Sequence, residues 1–73
     1  MTLGERIAAR RTELGLRQID LAEKAQVTCA AICQYENGVR VPNAYTFFSI
    51  SKVLGVTMDE LMTGNPGKTE ARS

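Results

Sequence analysis

With 73 residues, 44% of them hydrophobic, a formal net charge of +1 and no histidine, the chain has room for one domain with one core, and its hydrophobic share argues against disorder. No apolar run approaches the roughly 18 residues of a membrane span, and charges interrupt the apolar positions of residues 1–11, so no secretory signal is expected and the expected location is cytoplasmic. The near-neutral balance argues against charge-driven, non-specific nucleic-acid binding but not against specific binding, and Arg10, Arg11, Arg17 and Arg40 lie in the first part of the chain while no acidic residue occurs from Asn37 to Met58.

Leu3, Ile7 and Leu14, with Ala8 beside them, share one helical face. Thr2 and Glu5 have capping-box spacing, which starts this helix at residue 2 or 3, and Gly15 stops it. A second pattern runs from Gln18 to Ala25, with Leu21, Ala22 and Ala25 as its apolar face, and Gln26 and Val27 break it. Thr28 is a good N-cap for a third helix, Cys29 to Glu36, in which Ile32 and Tyr35 face inward. Asn37 and Gly38 end it.

Val39 to Pro42 is predicted to be extended, since a residue before proline is pushed out of the helical region. Asn43 caps a fourth helix, Ala44 to Leu54, with Ala44, Phe47, Ile50 and Leu54 inward, Phe48 and Val53 alongside, and Gly55 as its end. Thr57 and Glu60 form another capping-box pattern, opening a short fifth helix with Met58, Leu61 and Met62. Nothing after Thr63 has the composition to pack. Residues 1–63 are therefore expected to be the domain and 64–73 a flexible tail, with Lys68 and Arg72 as solvated charges. The fold class is all-α, with five short helices and no strand pattern.

Cys29 and Cys33 are too few for a disulfide framework. Four residues apart on a helix, their side chains run parallel, which is poor geometry for a bridge. A metal would need further ligands, and none is nearby. Neither a phosphate-binding glycine loop nor a nucleophile–base pair is evident, so the reading is not an enzyme, with no cofactor and no small-molecule ligand expected.

The informative stretch is Gln18 to Asn37, QIDLAEKAQVTCAAICQYEN. Two short helices on a turn of two or three residues must cross steeply, as in a helix-turn-helix unit. Ala22 supplies the small residue that a close crossing needs, and Leu21, Val27, Ile32 and Tyr35 supply apolar anchors. The exposed face of the second of these helices is then Thr28, Cys29, Ala30, Cys33 and Gln34. That face is short-chained and nearly uncharged, which suits insertion into the major groove of B-DNA.

On GLRQIDLAEKA, AICQYENG and VPNAYTFFSISKVLGVTMDELM, in that order and spacing, the chain resembles the lambdoid phage repressor and Cro type of helix-turn-helix domain, the XRE family, over about residues 3–62. The resemblance implies a five-helix lambda-repressor-like domain with a central helix-turn-helix. It implies that Gln18 contacts a phosphate and buttresses the reading side chains, that Thr28 caps the recognition helix, and that Cys29, Ala30, Cys33 and Gln34 meet base edges. It also implies that Asn37 and Arg40 approach the DNA backbone, and that Arg11 and Glu36 pair to tie the first helix to the third. Leu21, Ala22, Ile32, Tyr35, Phe47 and Leu54 match the family's core. Arg11 is read first as a structural partner and second as a DNA contact. Tyr35, Phe47 and Phe48 are read as core rather than as stacking platforms.

Three positions depart from the family pattern. Gln26 stands where glycine is preferred, in a turn that needs positive φ, at a cost of order 1 kcal/mol. Arg17 replaces the usual Ser or Thr cap, losing a cap and adding a phosphate candidate. Cys29 and Ala30 are weak hydrogen-bonders, so readout there is apolar contact with thymine methyls. The expected function is a double-stranded-DNA-binding transcriptional regulator, a repressor on an inverted repeat, working as a homodimer through Val53 to Met62 with Val56 and Met58 exposed. The alternative is a protein-interaction module such as an antitoxin.

Overall fold

The computed structural model describes residues 1–64, which form five helices: α1 (Leu3–Glu13), α2 (Gln18–Ala25), α3 (Cys29–Glu36), α4 (Ala44–Leu54) and α5 (Met58–Thr63). The expected tail beyond Gly64, with Lys68 and Arg72, lies outside the described residues. No strand occurs among the described residues.

Side-chain caps set the starts of α1, α3, α4 and α5. Thr2 Oγ1 accepts from the Glu5 N–H while Glu5 Oε1 accepts from the Thr2 N–H, so the expected capping box is complete at α1. Thr28 accepts from the Ala31 N–H at α3, and Asn43 from the Thr46 N–H at α4. At α5 only half of the expected box forms: Thr57 accepts from the Glu60 N–H, and the Thr57 N–H makes no bond to the Glu60 carboxylate. Gly55 ends α4 at φ +72, a left-handed conformation that costs glycine little.

The core gathers Ile7 from α1, Leu21, Ala22 and Ala25 from α2, Ala31, Ile32 and Tyr35 from α3, Phe47, Ile50 and Leu54 from α4, and Leu61 from α5. All of these but Ala31 were expected on buried faces, and the hydroxyl-bearing Ser51 is buried with them. Ser51 is buried because its Oγ donates to the Phe48 carbonyl at 2.7 Å and so stays satisfied. α2 packs most closely on α3, as a three-residue connection between short helices requires.

Four positions expected on apolar faces are instead exposed. Leu14, 42% exposed, is the C-cap of α1 and lies past its last packed turn. Ala44 opens α4 ahead of the turn that meets the core. Phe48 and Met62 each follow a buried residue by one position, which rotates them by about 100° off the buried face. Phe48 is therefore not core, and Lys52 Nζ sits 5.6 Å from its ring centroid. Val56 and Met58 are the reverse case: both are half-buried against the core rather than exposed.

α1 locks the other helices at their ends. Arg6 donates to the Met62 carbonyl at 3.0 Å and to the Thr63 carbonyl at 3.3 Å, and Arg10 Nε to the Leu54 carbonyl at 2.9 Å. Two guanidinium groups one helical turn apart thus satisfy the orphan carbonyls of α5 and α4, where cations are favoured. Gly4 lies buried against the Tyr35 and Glu36 carbonyls, so close that any Cβ would collide with backbone. A side chain there would push α1 off the end of α3.

Candidate nucleic-acid interface

The turn between α2 and α3 sets the geometry of the candidate site. Gln26 closes α2 at φ 62 and ψ 43, and it alone among the described non-glycine residues has a positive φ. The Val27 N–H then reaches back to the Ala22 carbonyl at 2.9 Å. Ala22 is 1% exposed, so the helices meet over a methyl group. Glutamine in the left-handed region costs of order 1 kcal/mol, and packing on both sides of the turn holds it there.

Behind the turn lies a three-residue polar brace. Arg11 Nε donates to Glu36 Oε2 at 2.7 Å and Arg11 Nη2 to Glu36 Oε1 at 3.2 Å, a bidentate pair between α1 and the end of α3. The Glu36 side chain is only 6% exposed, and Gln18 Nε2 fills a further acceptor site on it at 3.0 Å. Arg11 Nη1 also donates to the Leu16 carbonyl at 2.8 Å. The expected Arg11–Glu36 tie is present. Its geometry commits Arg11 to the protein interior, which leaves little of it to offer an external partner.

The recognition-helix candidates fall on one side of α3. Ala30 and Thr28 are exposed, while Cys29, Cys33 and Gln34 are half-buried. Ala31, Ile32 and Tyr35 take the opposite, buried side. At the helix end, Asn37 is exposed and its Nδ2 donates to Cys33 Sγ at 3.4 Å. Arg40 sits over the Tyr35 ring at 5.4 Å from the centroid, and its Nη1 donates to Gln34 Oε1 at 3.2 Å. The two residues that the sequence assigned to separate tasks, Gln34 and Arg40, are therefore joined. The bond fixes the amide so that Oε1 is engaged and Nε2 remains a spare donor.

At the start of α2 the Asp20 carboxylate accepts from the Arg17 N–H at 2.8 Å and from the Arg17 guanidinium at 3.0 and 2.9 Å. These bonds pull the Asp20 carboxyl down to about 2 and raise the Arg17 guanidinium. Arg17 provides no side-chain acceptor for the first amides of α2. The opening turn of that helix keeps free N–H groups at its positive end, a setting suited to an anion.

Sequence reading missed Gly4, Arg6 and Arg10 as organisers of this surface. The one available signal was the four-residue spacing of the two arginines, which puts them on one face of α1. Nothing in the sequence marked which carbonyls they would meet.

A helix-turn-helix family model matches residues 7–61. The chain belongs to the XRE-type helix-turn-helix family. The chain is 38% identical over its whole length to the transcriptional activator BcrR of Enterococcus faecalis, covering 38% of that protein. It is 37% identical to the repressor protein C2 of Salmonella phage P22, with 92% of the chain aligned on 31% of the phage protein. The chain thus spans about a third of the length of these curated relatives. Among solved structures, the P22 c2 repressor in complex with a synthetic operator superposes with a TM-score of 0.86 at 37% identity, covering 89% of this chain and 98% of that one. SinR in complex with DNA superposes with a TM-score of 0.78 at 31% identity, over 82% of this chain and 97% of that one. The five-helix fold is the lambda-repressor-like one of this XRE-type family, whose matched relatives are transcriptional regulators rather than enzymes.

Proposed function

We propose that residues 1–63 form a sequence-specific double-stranded-DNA-binding domain of a transcriptional regulator, acting in the cytoplasm as a repressor. The observation that carries this reading is the α3 face. Thr28, Cys29, Ala30, Cys33 and Gln34 form a surface without charge, and the Arg11–Glu36–Gln18 brace holds it rigidly from behind. In this reading Gln34 and the small side chains meet base edges in the major groove. Gln18, Thr28, Asn37 and Arg40 contact phosphates and set the register, and Arg17 joins them by exchanging Asp20 for a phosphate. Relatives of the same fold, one bound to a synthetic operator and one bound to DNA, support it. Among the described residues, no helix is long and apolar enough to cross a membrane.

The regulator works as a homodimer on an inverted repeat, with recognition helices one DNA turn apart, about 34 Å. Val56 and Met58 are half-buried and leave little for a partner. Val39, Val41, Tyr45 and Phe48, at 71%, 78%, 78% and 51% exposed, are the better support for a contact between copies. Selection of bound sequences from a random duplex pool tests the whole reading. Enrichment of one palindromic motif is the expected result.

The same apolar strip favours a second reading, a module that docks a protein partner, as an antitoxin does. Salt dependence separates the two. Phosphate contacts make log K fall steeply with log salt, whereas a protein partner gives a shallow slope. A chain that enriched no motif and bound no duplex at low salt would belong to the second reading.

A further inference from the structure

We propose that Cys29 and Cys33 form a two-sulfur site for a trivalent organoarsenical, and that loading this site switches off the DNA-reading face. The proposal rests on the reading of α3 as that face. Both cysteines are free thiols, both are half-buried, and they stand four residues apart on a continuous helix. Side chains so spaced have Cβ atoms about 5–6 Å apart. A direct disulfide needs Cβ atoms at about 3.5–4.5 Å, so the pair does not close on itself. One additional atom between the sulfurs spans the gap without bending the helix.

The surroundings choose that atom. Among the described residues no third Cys, His, Asp or Glu joins the pair to complete a metal site. Zinc and similar ions, which take four ligands, are left short. An arsenic(III) centre carrying one organic group has two positions left for sulfur, is soft, and needs no further protein ligand. Asn37 Nδ2 already donates to Cys33 Sγ at 3.4 Å, so a polar donor is in place beside the sulfur. Cys29 leans on the core at the first turn of α3, which keeps one end of the pair fixed.

The reaction is a condensation without redox change. With phenylarsine oxide, two As–S bonds form, two S–H bonds and the As–O bond break, and the oxide leaves with both protons as one water. The product carries a phenyl group along the Cys29–Cys33 stripe of α3, beside Ala30 and Gln34, where a base edge would lie. By linkage, bound DNA and bound arsenical each weaken the other.

The test treats the full chain with one equivalent of phenylarsine oxide. It follows mass, free thiol and affinity for the duplex selected above. The expected adduct is one to one with both thiols consumed, and a dithiol removes it far better than a monothiol at the same thiol concentration. Cys29→Ser and Cys33→Ser each hold the arsenical roughly 100-fold more weakly, the loss of a second tethered contact. Duplex affinity falls about tenfold or more on loading, the scale of losing one base contact, and returns on dithiol treatment. Single-serine variants that held phenylarsine oxide as tightly as the parent would overturn the two-sulfur site. A loaded chain that bound duplex as the free chain does would overturn the switch. Absence of duplex binding before treatment would count against the DNA reading alone, because mass and thiol loss are read without DNA.

Discussion

The Gln18 side-chain amide donates to Glu36 Oε1 at 3.0 Å, tying the first residue of α2 to the last residue of α3 across 18 positions of sequence. Arg11 holds the same carboxylate from α1 through two bonds. Three helices therefore share one nearly buried charge. Glu36→Ala leaves Arg11, itself 17% exposed, without its counter-charge. Removing one partner of such a pair costs about 3 kcal/mol. Urea unfolding should show a clear fall in midpoint, and Gln18→Ala should show a smaller one, since it removes a single neutral donor. A Glu36→Ala chain as stable as the parent would mean that the brace adds nothing to the fold.

The turn residue gives a change in the opposite direction. Gln26 adopts φ 62 although it carries a Cβ. Gln26→Gly removes that strain and should stabilise by up to about 1 kcal/mol, less whatever glycine adds to the entropy of the unfolded chain. Thermal unfolding measures it. A drop in melting temperature would show that the Gln26 side chain contributes packing that outweighs its backbone cost.

Helix order and the caps at Thr2, Thr28 and Asn43 are legible in the sequence, because each depends on neighbours a few residues away. The left-handed turn at Gln26 and the Arg11–Glu36 pair, whose members stand 25 positions apart, are legible only through the resemblance to the family. Exposure at helix edges is harder to read. Phe48 and Val56 exchange their expected places: Phe48 is one step from the buried Phe47 and so sits on the rim, while Val56 lies in the connection between α4 and α5, where packing against the core decides its side. The guanidinium of Arg6 at the end of α5 and the collision space at Gly4 depend on contacts more than thirty residues away, which no local pattern encodes. The Gln34–Arg40 bond was illegible for a related reason: the loop after α3 must first fold back over Tyr35 to bring them together.

Asp20 offers a test in pH. Its folded carboxyl lies at about 2, chiefly through its hydrogen bond to Arg17, below the ordinary value of about 4 in an unfolded chain. A depressed acid contributes stability that is fully present above the unfolded value. The contribution fades as pH falls from about 4 towards 2 and is gone below. Carbon NMR of the Asp20 carboxyl should place its midpoint near the lower value, and Arg17→Ala should move it up towards the ordinary range. An Asp20 midpoint near 4 in the parent would show that the ion pair does not persist in solution.

Gln34 and Arg40 separate base reading from backbone contact, and their mutual bond adds a third measurement. Gln34→Ala should cost about 1–3 kcal/mol on the best duplex and relax preference at one base pair per half-site. Arg40→Ala should weaken all duplexes and lower the salt slope by about one per subunit. The 3.2 Å bond from Arg40 Nη1 to Gln34 Oε1 means that losing Arg40 also releases the Gln34 amide. Arg40→Ala should therefore blunt preference at the Gln34 base pair as well. The double variant should lose less than the sum of the two, with a coupling of about 0.5 kcal/mol or more. Equilibrium titrations on the selected duplex and on scrambled DNA read all three quantities. Strict additivity would show that Arg40 does not orient Gln34. Parent-like binding by both single variants would move the recognition surface off α3.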